Sequence, residues 1–287
     1  MLLCMLLCLS MIFPMGITAF ADTADTLIWN DGDVISESVA ISSDTQITVT
    51  GTVTVNAEII ISGGNVTLSG GGKLLRGAEN TSNSMIVING GSLEMENITI
   101  DGNNVAVGST SASGLQVTGG SVTINDGTVI RNHRRLYYRD TADPGGSAVL
   151  ANGPATITMN GGVIQNNQAH RRGGAIYLNN GAVFQMNGGA ITGNQASTSS
   201  FYSSFYGGGA VYVNEASFYM TGGSITDNKT IADDAVGGGI FITSYGYVDI
   251  SGGTISGNTA VAGSGIYFNT YSSKGDCALR IGGAANI

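Results

Sequence analysis

Apolar and polar residues alternate along this chain in short runs. Val122 and Ile124, Ile157 and Met159, Phe184 and Met186, Phe218 and Met220, and Val248 and Ile250 each flank a single polar or outward residue. Period two is the signature of a strand with one buried face. Counting from the second apolar residue of each run, a Gly-Gly pair stands at +2 and +3, an Ile or Val at +5 and an Asn at +8. The anchors are Met95, Ile124, Met159, Met186, Met220 and Ile250, with a partial copy at Ile281. Gly161-Gly162, Gly188-Gly189, Gly222-Gly223 and Gly252-Gly253 fill the glycine slots. Ile100, Val129, Ile164, Ile191, Ile225 and Ile255 fill the +5 slot, and Asn103, Asn132, Asn167, Asn194, Asn228 and Asn258 the +8 slot. A second strand follows each later glycine run, at Ile176–Leu178, Val211–Val213, Ile240–Ile242 and Ile266–Phe268. A third, very short strand carries the +5 residue.

A motif repeated at a spacing near thirty residues predicts stacked units in place of one irregular core. Successive anchors lie 29, 35, 27, 34, 30 and 31 residues apart. From the +8 Asn to the next glycine run the distance is 6 residues at Asn167, 13 at Asn194 and 9 at Asn228, which reproduces the spacings of 27, 34 and 30. One corner of the unit therefore takes insertions while the rest stays constant, as a surface loop leaving a rigid rung would. Three short strands per unit, with no hairpin signal between them, predict an all-β fold: a right-handed parallel β-helix of about eight or nine coils. A propeller would need four strands and a longer repeat per blade. Rungs ~4.8 Å apart make a rod of about 40 Å, with the +8 asparagines bonded coil to coil at one corner.

Composition agrees with a turn-rich β protein: 45 glycines, 3 prolines and 42% hydrophobic residues supply turns and a continuous core. Residues 2–20 are apolar and uncharged, and Ala19-Phe20-Ala21 reads as the cleavage site of a secretory signal peptide covering 1–21. The remaining 22–287 reads as a single β-helix domain with no membrane span, incomplete at its C-terminal end because the chain stops six residues beyond its last anchor. Cys4 and Cys8 depart with the leader, leaving Cys277 without a disulfide partner. A net charge of −9 disfavours nucleic acid as a partner.

Gly173-Gly174-Ala175-Ile176 and Gly208-Gly209-Ala210-Val211 follow Ile164-x-x-Asn167 and Ile191-x-x-Asn194. These pairs resemble the paired GGA-I/V/L and F-x-x-N repeats of chlamydial polymorphic membrane proteins, and more broadly the right-handed β-helix repeats of pectate-lyase-like surface proteins and adhesins. Ile stands here in place of Phe. The resemblance spans roughly residues 85–281. It implies the fold and a secreted or cell-surface location; it leaves activity open, because one fold serves lyases, hydrolases and adhesins.

Candidate chemistry lies at three places. The outward positions beside the anchors carry paired acids only at Glu94 and Glu96, so no carboxylate array spans several coils. Six of the eleven Lys and Arg residues and both histidines fall between Arg131 and Arg172. His133, Arg134, Arg135, Tyr137, Tyr138 and Arg139 leave one coil, and His170, Arg171 and Arg172 the next, which predicts a basic patch suited to an anionic glycan. Tyr177, Tyr212, Phe241 and Tyr267 occupy one position on four consecutive coils and predict an exposed aromatic stripe, continued by Phe201, Tyr202, Phe205 and Tyr206 in a corner loop. Asp31-Gly32-Asp33 and Asp101-Gly102-Asn103 hint at calcium but read better as turns. The expectation is a non-catalytic, adhesin-like exported protein that binds polysaccharide or a host or envelope surface without a cofactor. The alternative is a lyase or glycoside hydrolase acting on an acidic polysaccharide, with calcium.

Overall fold

The computed structural model describes residues 25–104, 112–135, 145–197, 206–231, 236–269 and 276–287. The predicted leader, Tyr137, Tyr138, Arg139, Phe201, Tyr202 and Phe205 lie outside them. Every regular element among the described residues is a strand. The first sheet has ten strands, from Asp25–Trp29 to Ala278–Ile281. The second has nine, from Val34–Ile35 to Thr254–Ser256, and the third nine, from Val39–Ile41 to Ile266–Phe268. Each turn of the chain visits the three sheets in order, and each strand pairs in parallel with its counterpart one coil on. The chain is a parallel β-helix.

Register turns the repeat into columns. The anchors pair as Met95–Ile124–Met159–Met186–Met220–Ile250–Ile281. Phe184 and Phe218 stack within the neighbouring apolar column at 5.6 Å. All are buried except Ile281 at the last coil. These columns fill one continuous core from Trp29 to Ile255.

The Gly-Gly pairs have two distinct causes. Gly189, Gly223 and Gly253 have φ of 77°, 79° and 87°, a left-handed region where a Cβ is strained. A Cβ on Gly188, Gly222 or Gly252 would lie only 2.3–2.4 Å from a carbonyl oxygen of the preceding coil. One glycine serves the turn and the other the stacking distance.

In one coil the turn is a residue longer than the motif allows. Asn125-Asp126-Gly127-Thr128 shifts the inward position by one, so Ile130, and not Val129, pairs between Ile100 and Ile164. Ile130 is fully buried and Val129 only half-buried. The shift also moves the corner residue from Asn132 to His133.

A fourth sheet, beyond the three predicted strands per coil, occupies part of the corner read as loop. Arg134–Arg135, Gln168–His170, Gln195–Ser197 and Lys229–Ile231 pair in parallel. Arg135, Ala169, Ala196 and Thr230 face inward along it. The glycine runs pack directly against this sheet: a Cβ on Gly174 would lie 2.4 Å from the Gln195 carbonyl carbon, and one on Gly209 2.6 Å from the Lys229 amide. The Gly-Gly-Ala motif thus lets two backbones touch.

Candidate functional site

At the corner after the second sheet, Asn167, Asn194, Asn228 and Asn258 form an almost fully buried ladder. The Oδ1 atoms of Asn194, Asn228 and Asn258 each accept from the side-chain amide of the preceding rung, at 3.0, 2.9 and 3.0 Å, and also from that rung's backbone N–H. Each Nδ2 donates in addition to a main-chain carbonyl of the coil before: Ile130, Ile164, Ile191 and Ile225. Every amide in the interior of the ladder is satisfied, so its role is structural. The ladder does not reach Asn103, which is exposed and donates to the Arg76 carbonyl.

His133 takes the next rung. Its backbone N–H donates to Asn167 Oδ1 (3.0 Å), and its Nε2 lies 3.3 Å from the Ile100 carbonyl, the acceptor an Asn would use. That contact requires the proton on Nε2. Burial, with Arg76 nearby, lowers the ring pKa to about 4, so the ring is neutral at neutral pH. Arg76 itself is buried, its Nη2 donating to the Asn80 and Ser82 carbonyls and to Asn80 Oδ1. Burial lowers its pKa to about 10 despite Glu58.

The predicted basic patch therefore loses members to the interior. His133, His170 and Arg135 are buried, and Arg135 Nη1 donates to Ser113 Oγ at 3.1 Å. The neighbouring Arg131 is bound to Asp101 at 2.8 Å. Burial pushes the Asp101 carboxyl up, but hydrogen bonds from the Asn103 amide, Arg131 and Asn132 outweigh it and hold the pKa below the usual range. Arg134, Arg171 and Arg172 remain half-buried. Among the described residues no group of three or more His, Cys, Asp or Glu side chains is placed to hold a metal ion.

The aromatic column stacks as the spacing predicts, but it is covered. Ring centroids of Tyr177–Tyr212, Tyr212–Phe241 and Phe241–Tyr267 lie 5.4, 4.9 and 5.5 Å apart with planes within 17° of parallel. Tyr177, Tyr212 and Phe241 are buried with Leu150 and Val236 in a second apolar cluster, and only Tyr267, at the end of the stack, is half-exposed. The physical reason is the glycine-run corner, which folds back over the outer face of the third sheet: a Cβ on Gly207 would sit 2.9 Å from the Phe241 ring. Desolvation raises the Tyr177 and Tyr212 hydroxyl pKa values, with Arg172 opposing.

Beside this stack runs a groove of about 350 Å³, lined by Arg172, Tyr177, Tyr212, Asn179, Asn214, Thr243 and the turn residues Asn180, Glu215 and Ser244. Asn152, Asn179 and Asn214 form an outer asparagine column, in which the Asn179 and Asn214 amides each donate to the Oδ1 of the coil before. The column stops at Thr243, whose hydroxyl meets Ser244 Oγ at 3.5 Å. Asn180, Glu215 and Ser244 have φ of 53°, 49° and 37°, so three successive turns repeat one left-handed geometry. At the other side, the Arg172 guanidinium lies 5.1 Å from the Tyr206 ring and 5.8 Å from that of Tyr212, near enough to the Tyr177 hydroxyl to lower its pKa against burial. Arg171 also stacks on Tyr206, at 5.1 Å.

Sequence reasoning found Arg172, Tyr177 and Tyr212 but missed the asparagines and Glu215. Their signal was present as the shared position after Tyr-Leu, Tyr-Val and Phe-Ile in consecutive repeats. No helix among the described residues is long and apolar enough to cross a membrane. No family model, curated protein or solved structure matches this chain.

Proposed function

We propose that this protein is an exported, adhesin-like β-helix that binds carbohydrate, without catalysis, in the groove on the outer face of its third sheet. The groove carries the reading. It crosses consecutive coils, places amides, hydroxyls, one guanidinium and one carboxylate on a rigid floor, and has the size of a small-ligand site. Side chains on stacked strands keep their positions without a bound partner, so little ordering entropy opposes binding. Two sequence features support the location: the apolar stretch at residues 2–20 and the likeness of the Gly-Gly-Ala and Ile-x-x-Asn repeats to those of pectate-lyase-like surface proteins and chlamydial polymorphic membrane proteins.

Calorimetric titration of the purified chain with a panel of soluble plant, algal and host glycans tests the reading, and saturable binding to at least one is expected. Prolonged incubation with polygalacturonate and alginate, with and without calcium, provides the second arm. New unsaturated ends or reducing sugar would replace the non-catalytic reading with a lyase or hydrolase.

A further inference from the structure

The groove carries two opposite charges on one rigid floor. Arg172 stands ahead of the strand Ile176–Asn179, and Glu215 follows directly on the strand Val211–Asn214. These two strands pair in register, and Arg172 pairs with Gly207 ahead of the second of them. The cation and the carboxylate therefore belong to adjacent rungs, about 4.8 Å apart along the axis, and to opposite ends of the strand pair. The Tyr177 hydroxyl is within reach of both. Arg172 pulls its pKa down and Glu215 pushes it up, beneath a larger upward push from burial.

Neither charge is a freely hydrated surface group. Both residues are half-buried, and the Arg172 Nε is buried without a hydrogen-bond partner. The Arg172 guanidinium is held on the rings of Tyr206 and Tyr212, which fixes the direction of its fork. Glu215 sits in the left-handed turn, φ 49°, that recurs at Asn180 and Ser244. A ligand that fills the groove from end to end takes water from both charges. A neutral ligand returns only hydroxyls. An anionic polymer pairs with Arg172 but crowds Glu215, and a cationic polymer does the reverse. Covering an ion without a partner is costly, and like charges brought together reject a ligand. Only a ligand that brings both signs is complementary to both ends.

Resting on the glycan-binding reading above, we propose that the groove selects a zwitterionic glycan, an amino-sugar chain that carries free ammonium groups beside anionic ones. The anion accepts two hydrogen bonds from the Arg172 fork, the ammonium donates to the Glu215 carboxylate, and ring hydroxyls lie over Asn179 and Asn214. The one-rung offset suits an ammonium and an anion on a single sugar or on neighbouring sugars of a chain that follows the helix axis.

The test is calorimetric titration of the whole chain with soluble β-1,4-linked oligomers of one length, at one ionic strength and a mildly acidic pH that keeps amines protonated. Carboxymethyl-chitosan carries both charges, chitosan only the cation, carboxymethyl-cellulose only the anion, and the cello-oligomer neither. The wild-type chain is expected to bind carboxymethyl-chitosan about tenfold more tightly than any of the other three. Arg172→Gln is expected to bind carboxymethyl-chitosan and chitosan alike, and Glu215→Gln to bind carboxymethyl-chitosan and carboxymethyl-cellulose alike. That retained binding shows the groove intact in each variant, and the wild-type comparison stands even where a variant fails to fold. Wild-type binding of a singly charged or neutral oligomer as tight as that of carboxymethyl-chitosan would overturn the zwitterion selectivity while leaving glycan binding in place. So would a zwitterion preference that survives both substitutions. Failure of all these oligomers and of every other glycan to bind would remove the glycan reading itself, and this inference with it.

Discussion

Two asparagine columns run along this molecule, and they do opposite things with the same side chain. The inner column, Asn167 to Asn258, is shut away from water and saturates its amides with neighbouring rungs and main-chain carbonyls. The outer column, Asn152, Asn179 and Asn214, is joined by one amide-to-amide bond per step, and Asn179 and Asn214 also line the groove. Stacking in register is common to both. What separates them is desolvation: a buried amide must be paired on every atom or it costs free energy, whereas an exposed one exchanges a missing partner for water at little cost. The inner column is therefore part of the fold, and the outer one is free to meet a ligand.

The contrast breaks first at the aromatic stack that borders the outer column. If that stack is core, Phe241→Ala should lower stability by about 4 kcal/mol, as large-to-small changes of buried aromatics do, read as a fall in denaturant midpoint. A change under about 1 kcal/mol would mean that the stripe is surface after all. Next comes the inner column. Asn194→Ala strips the Asn167 amide and backbone N–H of their acceptor and the Ile164 carbonyl of its donor, and should cost about 3 kcal/mol in the same assay.

A comparable loss should follow acidification, through the one rung that is not asparagine. His133 in the folded chain has a pKa of about 4, against 6.5 for the free group, chiefly because it is buried. The unfolded chain thus takes up the proton first. Stability is at its full value above pH 6.5, declines as the pH falls toward 4, and loses no more from this group below that; the whole step is about 3 kcal/mol. His133→Asn, which keeps an amide on the rung, should remove that portion of the pH dependence in denaturant titrations. A slope unchanged by the substitution would place the acid sensitivity elsewhere.

The smallest effect belongs to the outer column. Asn179→Ala should change stability by less than about 1 kcal/mol while weakening glycan binding severalfold. If Asn179→Ala and Asn194→Ala destabilise equally, burial does not divide the two columns and the groove's asparagines are structural.

The repeat made much of this legible without coordinates. Period-two alternation around Met159, Met186 and Met220, the Gly-Gly pairs and the invariant step to Asn167, Asn194 and Asn228 are local regularities, and stacking identical units converts each into a column with no further information. The parallel β-helix, its core columns and the buried ladder follow from that alone. The extra residue at Asp126-Gly127 was invisible to a motif counted from the anchor. Only pairing across coils shows that Ile130 and His133 occupy the inward and ladder positions, because register is settled by which side chain fits between its neighbours.

Exposure was the other quantity that spacing could not supply. The sequence placed Tyr177, Tyr212 and Phe241 on the outer face of a sheet, where they are. It did not show that the glycine-run corner returns over that face and buries them. The same holds for the basic cluster: proximity in sequence brought His133, Arg135, His170 and Arg172 to neighbouring coils, but the ladder took up His133, the fourth sheet turned Arg135 inward, His170 is buried as well, and Arg172 is left at the groove. A repeat determines the column on which a side chain sits. What packs over that column depends on segments distant in sequence, and so burial, and with it the division between fold and site, was decided by the tertiary structure.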